Sequence, residues 1–147
     1  KTQPLKCLFV GDGKLESELK IAAKGDANVR FLSFQNQSRM PIVYRLGNVV
    51  CLPSKGPGET WGLAVNEAMA CGRPVIVSDK VGCSYDLIRS KQNGFVFSYN
   101  QSDELIHILQ SLDLSKLKSM GIYAQSFIKG WSFEEIVKSI EQTAQSF

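Results

Sequence analysis

Two glutamates, Glu59 and Glu67, stand with seven residues between them in the stretch GETWGLAVNEAMACG, which runs from Gly58 to Gly72. Glu59 precedes a Trp-Gly pair, and Glu67 sits among the apolar residues of a predicted helix. Charged side chains are seldom set beside a core unless something holds them there. A carboxylate accepts hydrogen bonds from hydroxyls and can take two at once. The vicinal diol of a ribose or hexose supplies such donors. The helix that begins just after Glu59 adds amide groups near Gly62, Leu63 and Ala64 that can face an anion such as phosphate. Paired carboxylates beside amide donors suit a nucleotide-linked sugar. The plain alternative is a pair of solvated surface glutamates.

The elements that must position these groups can be read along the chain. LKCLFVG (5–11) reads as a buried strand that ends in a Gly11-Asp12-Gly13 turn. KLESELKIAAK (14–24) repeats apolar residues at helical spacing through Leu15, Leu19, Ile21 and Ala22, and Gly25 stops it. NVRFLSF (28–34) is a second strand, and Ser38 is the predicted cap of a helix through Leu46. VVCLPS (49–54) is a third strand, followed by the loop KGPGET and a helix from about Trp61 to Cys71, with Gly72 after its last turn. PVIVS (74–78) is a fourth strand. A helix near Ser84–Ser90, a turn at Asn93-Gly94 and a short strand FVF (95–97) follow. Ser102 opens the helix DELIHILQSL, and two more helices are predicted over 115–129 and 132–146. Ser132 and Glu135 have the spacing of a capping box for the last. Strand and helix thus alternate five times. That order predicts an α/β fold, a doubly wound parallel sheet with helices on both faces.

Composition narrows the function classes. The chain has 147 residues, enough for a single domain over 1–147 with a sizeable core, and 44% are apolar and 21% charged. The net charge is +3 without a basic block, which argues against nucleic acid as a partner. No apolar run reaches transmembrane length and no signal peptide is evident. The first residue is Lys1, so a piece of a longer protein is expected. Cys7, Cys51, Cys71 and Cys83 form no C-x-x-C pair, and His107 is the only histidine, so no metal site is expected. Buried reduced thiols, Cys7 and Cys51 within strands, fit a cytoplasmic protein.

In open α/β sheets, ligands bind beyond the carboxyl ends of the strands. Here those ends are Gly11-Asp12-Gly13, Ser33-Phe34-Gln35, Ser54 to Glu59, and Ser78 to Cys83. Gly11 and Gly13 begin a dinucleotide fingerprint, but Glu16 stands where its third glycine belongs, and no acidic residue ends the second strand. A nicotinamide enzyme is therefore disfavoured. The phosphate-loop motif of ATPases is absent as well. Lys55, Lys80 and Arg39 lie in strand-end segments but read first as solvated surface cations, and His107 projects away from Leu105, Ile108, Leu109 and Leu112.

PSKGPGETWGLAVNEAMACGRPVIVSD resembles the donor-site signature of glycosyltransferase family 4, also called group 1, in the two-domain GT-B fold. The family's Glu, aromatic, Gly-Leu, Glu-Ala-Met-Ala, Gly and Pro fall on Glu59, Trp61, Gly62-Leu63, Glu67-Ala68-Met69-Ala70, Gly72 and Pro74. FVGDG, VRFLSF, VVCLPS and NGFVF agree with flanking pieces, so the resemblance covers roughly residues 5–112.

The resemblance implies a Rossmann-like C-terminal domain that binds the donor in a retaining transfer of sugar from a nucleoside diphosphate. It places Glu59 near the sugar hydroxyls as the catalytic candidate and Glu67 on the ribose hydroxyls. The amides that follow Trp61, at Gly62, Leu63 and Ala64, would meet sugar or diphosphate. Gly11 and Gly13 would line the donor site, and the backbone of Ser33, Phe34 and Gln35 would meet the base, with Ser33 in place of the family's usual glycine. The donor nucleotide sugar is the only small molecule implied; no cofactor is. The family's diphosphate-gripping Arg and Lys lie upstream of residue 5, and an N-terminal acceptor-binding domain would complete the protein, so this chain alone is expected to be inactive. The whole enzyme would be cytoplasmic or peripheral at the inner membrane face. The rival readings are another GT-B enzyme, an epimerase or phosphorylase, and a non-catalytic nucleotide-binding module.

Overall fold

The computed structural model describes residues 4–146. The chain divides into two compact units, one ending at Ile42 and the other beginning at Val43. In the first, β1 (Cys7–Val10) and β2 (Val29–Leu32) pair in parallel from Cys7↔Val29 to Val10↔Leu32, with α1 (Glu16–Ala22) as the crossover. Phe9 and Phe31 are directly paired and stack at 5.2 Å. α2 (Met40–Leu46) runs across the boundary between the units.

The second unit holds a parallel sheet in the order β3-β4-β5, built from β3 (Val50–Leu52), β4 (Val75–Ser78) and β5 (Gly94–Phe97). α3 (Leu63–Ala70) connects β3 to β4, and α4 (Ser84–Leu87) lies between β4 and β5. Parallel neighbours need such crossovers because the chain must return to the same edge of the sheet. α5 (Ser102–Gln110), α6 (Leu114–Ile128), a 3-10 turn (Lys129–Trp131) and α7 (Phe133–Ala144) follow. Among the described residues the sheets are all parallel, as strand-helix alternation predicts.

The core gathers around β4, whose four residues are all buried. Val65, Ala68 and Met69 of α3 cover it, and Val81, Cys83 and Leu87 join them. Leu117, Met120 and Ala124 of α6 are buried in the same unit. Small residues let the helix close in: a Cβ on Gly121 would stand 2.3 Å from the Gly72 carbonyl oxygen. α6 starts one residue ahead of its predicted position because Asp113 caps it, accepting from the Ser115 and Lys116 amides at 2.8 and 3.4 Å. The Ser115 hydroxyl and these amides hold the Asp113 carboxyl below its usual range. The stabilisation this brings is present above the unfolded carboxyl pKa and is lost as pH falls through the lowered folded value.

Several elements differ from the sequence expectation. β1 is not buried: Leu8, Phe9 and Val10 are exposed. It has one hydrogen-bonded neighbour, and its unit supplies only the short α1 to cover the pair. Cys51 is exposed on β3 and Cys7 half-buried, whereas Cys83 is fully buried. None of the four cysteines is joined in a disulfide. Ser38 does not cap α2; its hydroxyl donates to Asn36 Oδ1, which also accepts the Arg39 amide at 3.2 Å. α4 stops at Leu87 because Ile88 is extended, φ −90° and ψ 123°.

The predicted Asn93-Gly94 turn is held by a side chain rather than by glycine alone. Asn93 is fully buried, its Oδ1 accepts the Arg89 amide at 2.7 Å, and its Nδ2 donates to the Leu87 carbonyl at 2.8 Å. Asn93→Ala would strand a buried donor and acceptor. The expected loss is about 2–4 kcal/mol, read as a lower urea midpoint at unchanged slope.

Candidate donor site

The segment between β3 and α3 is fixed from below. The Ser78 hydroxyl, at the end of β4, donates to the Ser54 carbonyl at 2.5 Å. The Cys83 amide donates to the Trp61 carbonyl at 2.9 Å. Gly82 lies so near that a Cβ on it would stand 1.9 Å from the Thr60 carbonyl oxygen. The residues that follow β4 therefore form a seat for Thr60, Trp61 and Gly62.

Gly62 ends the loop with φ +96°, a conformation that L side chains rarely adopt, and a Cβ there would meet Val81 Cγ1 at 2.5 Å. This residue is the N-cap of α3, so the helix begins at Leu63, not at Trp61 as the apolar spacing predicts. The Val65 amide is the first turned inward, onto the Gly62 carbonyl at 2.8 Å. The amides of Gly62, Leu63 and Ala64 precede any intrahelical acceptor. Trp61 instead folds over the first turn. Its Nε1–H donates to Asn66 Oδ1 at 2.9 Å, and its ring lies 5.9 Å from that of Trp131, tilted by 41°.

At its other end α3 closes in a Schellman motif: Gly72 has φ +71°, the Arg73 amide bonds to the Ala68 carbonyl at 3.0 Å, and the Gly72 amide to Met69 at 2.9 Å. Arg73 is thereby aimed at the end of α2. Its Nε donates to the Tyr44 carbonyl at 3.3 Å and its Nη2 to the Arg45 carbonyl at 3.0 Å.

Glu67 is the fifth residue of α3, beside the buried Ala68 and Met69, and is itself half-buried. The Tyr44 hydroxyl donates to its Oε2 at 2.8 Å. Burial first, then the Glu67 bond and charge, push the Tyr44 phenol up, so it remains a donor through the neutral range. Glu67 also borders a cavity of about 440 Å³, with Asn66, Gln125, Lys129 and Trp131 among its other walls. Glu59, half-buried in the loop, does not line that cavity. Its carboxylate faces other surroundings: burial chiefly, with a contribution from the Glu59 charge, pushes the Cys83 thiol up to about 11. The two carboxylates share a unit of the fold but not this cavity.

The remaining predicted site residues lie in the first unit, where two strand-end loops meet. The Phe34 amide donates to Asp12 Oδ2 at 3.2 Å, beside Gly11 and Gly13, and Gln35 Nε2 donates to the Ser33 carbonyl at 3.0 Å. The Phe34 side chain is 70% exposed. Lys55, Lys80, Arg39 and His107 are all exposed, and the Lys80 ammonium sits 4.5 Å over the Tyr99 ring. Sequence spacing had no means of finding Tyr44 or Trp131, since each meets its partner, Glu67 or Trp61, across 20 residues or more. No three His, Cys, Asp or Glu side chains come together as metal ligands among the described residues, and no described helix is long and apolar enough to cross a membrane.

Parallel strands joined by helices, with a seated loop and a helix start beyond β3, define a Rossmann-like α/β protein with a ligand edge. The chain matches the glycosyl transferases group 1 family over residues 1–127 and belongs to that family. It is 32% identical over 123 residues to the D-inositol 3-phosphate glycosyltransferase of Rhodococcus opacus, a match covering 82% of this chain and 26% of that relative. The chain spans about a quarter of the length of the first curated relatives it matches. The crystal structure of Anabaena HepE in complex with UDP superposes with a TM-score of 0.79 at 25% identity, over 97% of this chain and 41% of that one. A C-terminal domain of a group 1 family glycosyl transferase, LpcC from Francisella tularensis, matches with a TM-score of 0.70 at 19% identity, over 84% of this chain and 83% of that one. The fold is the Rossmann-like fold of GT-B glycosyltransferases.

The seat under the loop has a direct test. Gly82→Ala would drive a Cβ into the Thr60 carbonyl, so the loop must shift or the turn must open. A loss of about 1–3 kcal/mol is expected, measured by urea unfolding, together with a changed tryptophan emission from Trp61.

Proposed function

We propose that residues 1–147 are the C-terminal, donor-binding domain of a retaining glycosyltransferase of family 4. The whole enzyme moves a sugar from a nucleoside diphosphate donor to an acceptor held by an N-terminal domain outside this chain. The observation that carries this reading is the Glu67 carboxylate, fixed by Tyr44 on a helix whose start provides amide donors, in a chain that belongs to the group 1 family. Anabaena HepE, solved with UDP and with UDP-glucose, supports a uridine diphosphate donor as the first to try.

In this reading Glu67 accepts the ribose hydroxyls and Glu59 the hydroxyls of the transferred sugar. Gly11, Gly13 and the backbone of Ser33 to Gln35 serve the nucleoside. The transition state places positive charge on the anomeric carbon and negative charge on the departing diphosphate. Stabilising that leaving group is an electrostatic task, which the amides of Gly62, Leu63 and Ala64 are suited to. In this reading the basic residues that grip the diphosphate belong to the part of the enzyme outside residues 1–147, and transfer requires both parts. For the whole enzyme the reading carries a cytoplasmic setting, either free or peripheral at the inner membrane face.

Calorimetry of the full-length protein with uridine, guanosine and adenosine diphosphates is expected to show binding to at least one, and binding to none overturns the reading. Glu67→Ala removes a charged acceptor from the ribose and is expected to weaken that binding by about 1.5–3 kcal/mol. Unchanged affinity in this variant removes the role given to Glu67.

A further inference from the structure

Tyr44 has no counterpart in the donor signature, yet it donates a hydrogen bond to Glu67. Its side chain is buried, and a buried phenol needs a partner for its hydroxyl. It has that partner in Glu67 Oε2 at 2.8 Å. Both ends of the bond trace to α3. Glu67 sits on α3, and the Schellman close of α3 aims Arg73 at the Tyr44 and Arg45 carbonyls, at 3.3 and 3.0 Å. The helix that delivers the phenol is thus tied to the helix that bears the carboxylate.

We propose that Tyr44 is a positioning residue, whose phenol hydroxyl sets the plane of the Glu67 carboxylate and thereby the preference for a ribose that carries both hydroxyls. This deepens the donor-site reading above and rests on Glu67 as the ribose acceptor. A diol presents two donors in a fixed relation, and a carboxylate receives both well only in one orientation. A glutamate side chain left to itself samples several rotamers and must lose that freedom on binding. The phenol bond sets the orientation beforehand. It does not exhaust the acceptor, because a carboxylate offers about four lone-pair sites. Tyrosine is suited to the task because its single rigid ring fixes the donor's place, and because burial beside a carboxylate keeps the proton on the oxygen.

A merely structural tyrosine and a positioning one differ in what they do to two ligands. Calorimetry of the full-length protein compares uridine diphosphate with its 2′,3′-dideoxy analogue, and the guanosine and adenosine pairs likewise, in wild type, Tyr44→Phe and Glu67→Gln. Wild type is expected to favour the ribose form by about tenfold or more, and Glu67→Gln to lose most of that preference. Tyr44→Phe is expected to cut the preference by about three- to tenfold while leaving affinity for the dideoxy ligand within about twofold. Tyr44→Phe with the preference intact, or with both ligands weakened equally, overturns the proposal while Glu67 keeps its role. A wild type without any preference removes the Glu67 reading and the proposal with it. If Tyr44→Phe does not fold, Arg73→Gln gives the second reading: it unties α2 without touching the phenol. It is expected to lower the preference in the same direction, and no change overturns the proposal.

Discussion

One backbone hydrogen bond organises the chemistry of the second unit: the Cys83 amide to the Trp61 carbonyl at 2.9 Å. It joins the segment after β4 to the segment after β3, at the edge where parallel sheets bind ligands. Because Gly82 and Gly62 bring no Cβ, the two segments lie in direct backbone contact, and Val81 and Cys83 fill the space beneath. The left-handed turn at Gly62 then starts α3 at a fixed point, which sets where each later side chain of that helix faces. Glu67, one turn on, inherits its place from this contact.

The far end of α3 is constrained with equal economy. The Schellman close at Gly72 satisfies the carbonyls of Ala68 and Met69 and sends the Arg73 guanidinium to the end of α2. Helix ends carry carbonyls without intrahelical partners, and a guanidinium has donors enough for two of them. The result is a closed circuit within one unit: α3 to Arg73, Arg73 to α2, and Tyr44 of α2 back to Glu67 of α3.

Much of this fold was legible in the sequence, because its signals are local. A continuous apolar run marked β4, Gly72 marked the end of α3, and Asn93-Gly94 marked a turn. Serine and glutamate at the start of α7 marked its cap, and the Glu135 amide does bond to Ser132 Oγ. Failures came where local pattern met a competing contact. Trp61 fits a helical repeat but is turned out by Gly62, and Ser38 is a good cap that Asn36 claims. β1 and Cys51 look like core by composition, yet exposure depends on what the rest of the fold covers. Glu59 and Glu67 stood out by spacing, but the tyrosine that donates to Glu67 lies 23 residues away on another helix. No periodicity links positions so separated.

Trp61 and Trp131, the only two tryptophans of the chain, face one another at 5.9 Å. One belongs to the loop ahead of α3, the other to the last turn before α7, whose residues Phe133 and Ile140 are 84% and 64% exposed. All indole light emitted by this domain therefore originates at a single spot, where the loop and the root of the terminal helix touch. The protein carries its own optical gauge of that junction: spreading the rings apart or freeing either one alters colour, lifetime and exciton signal without any attached dye.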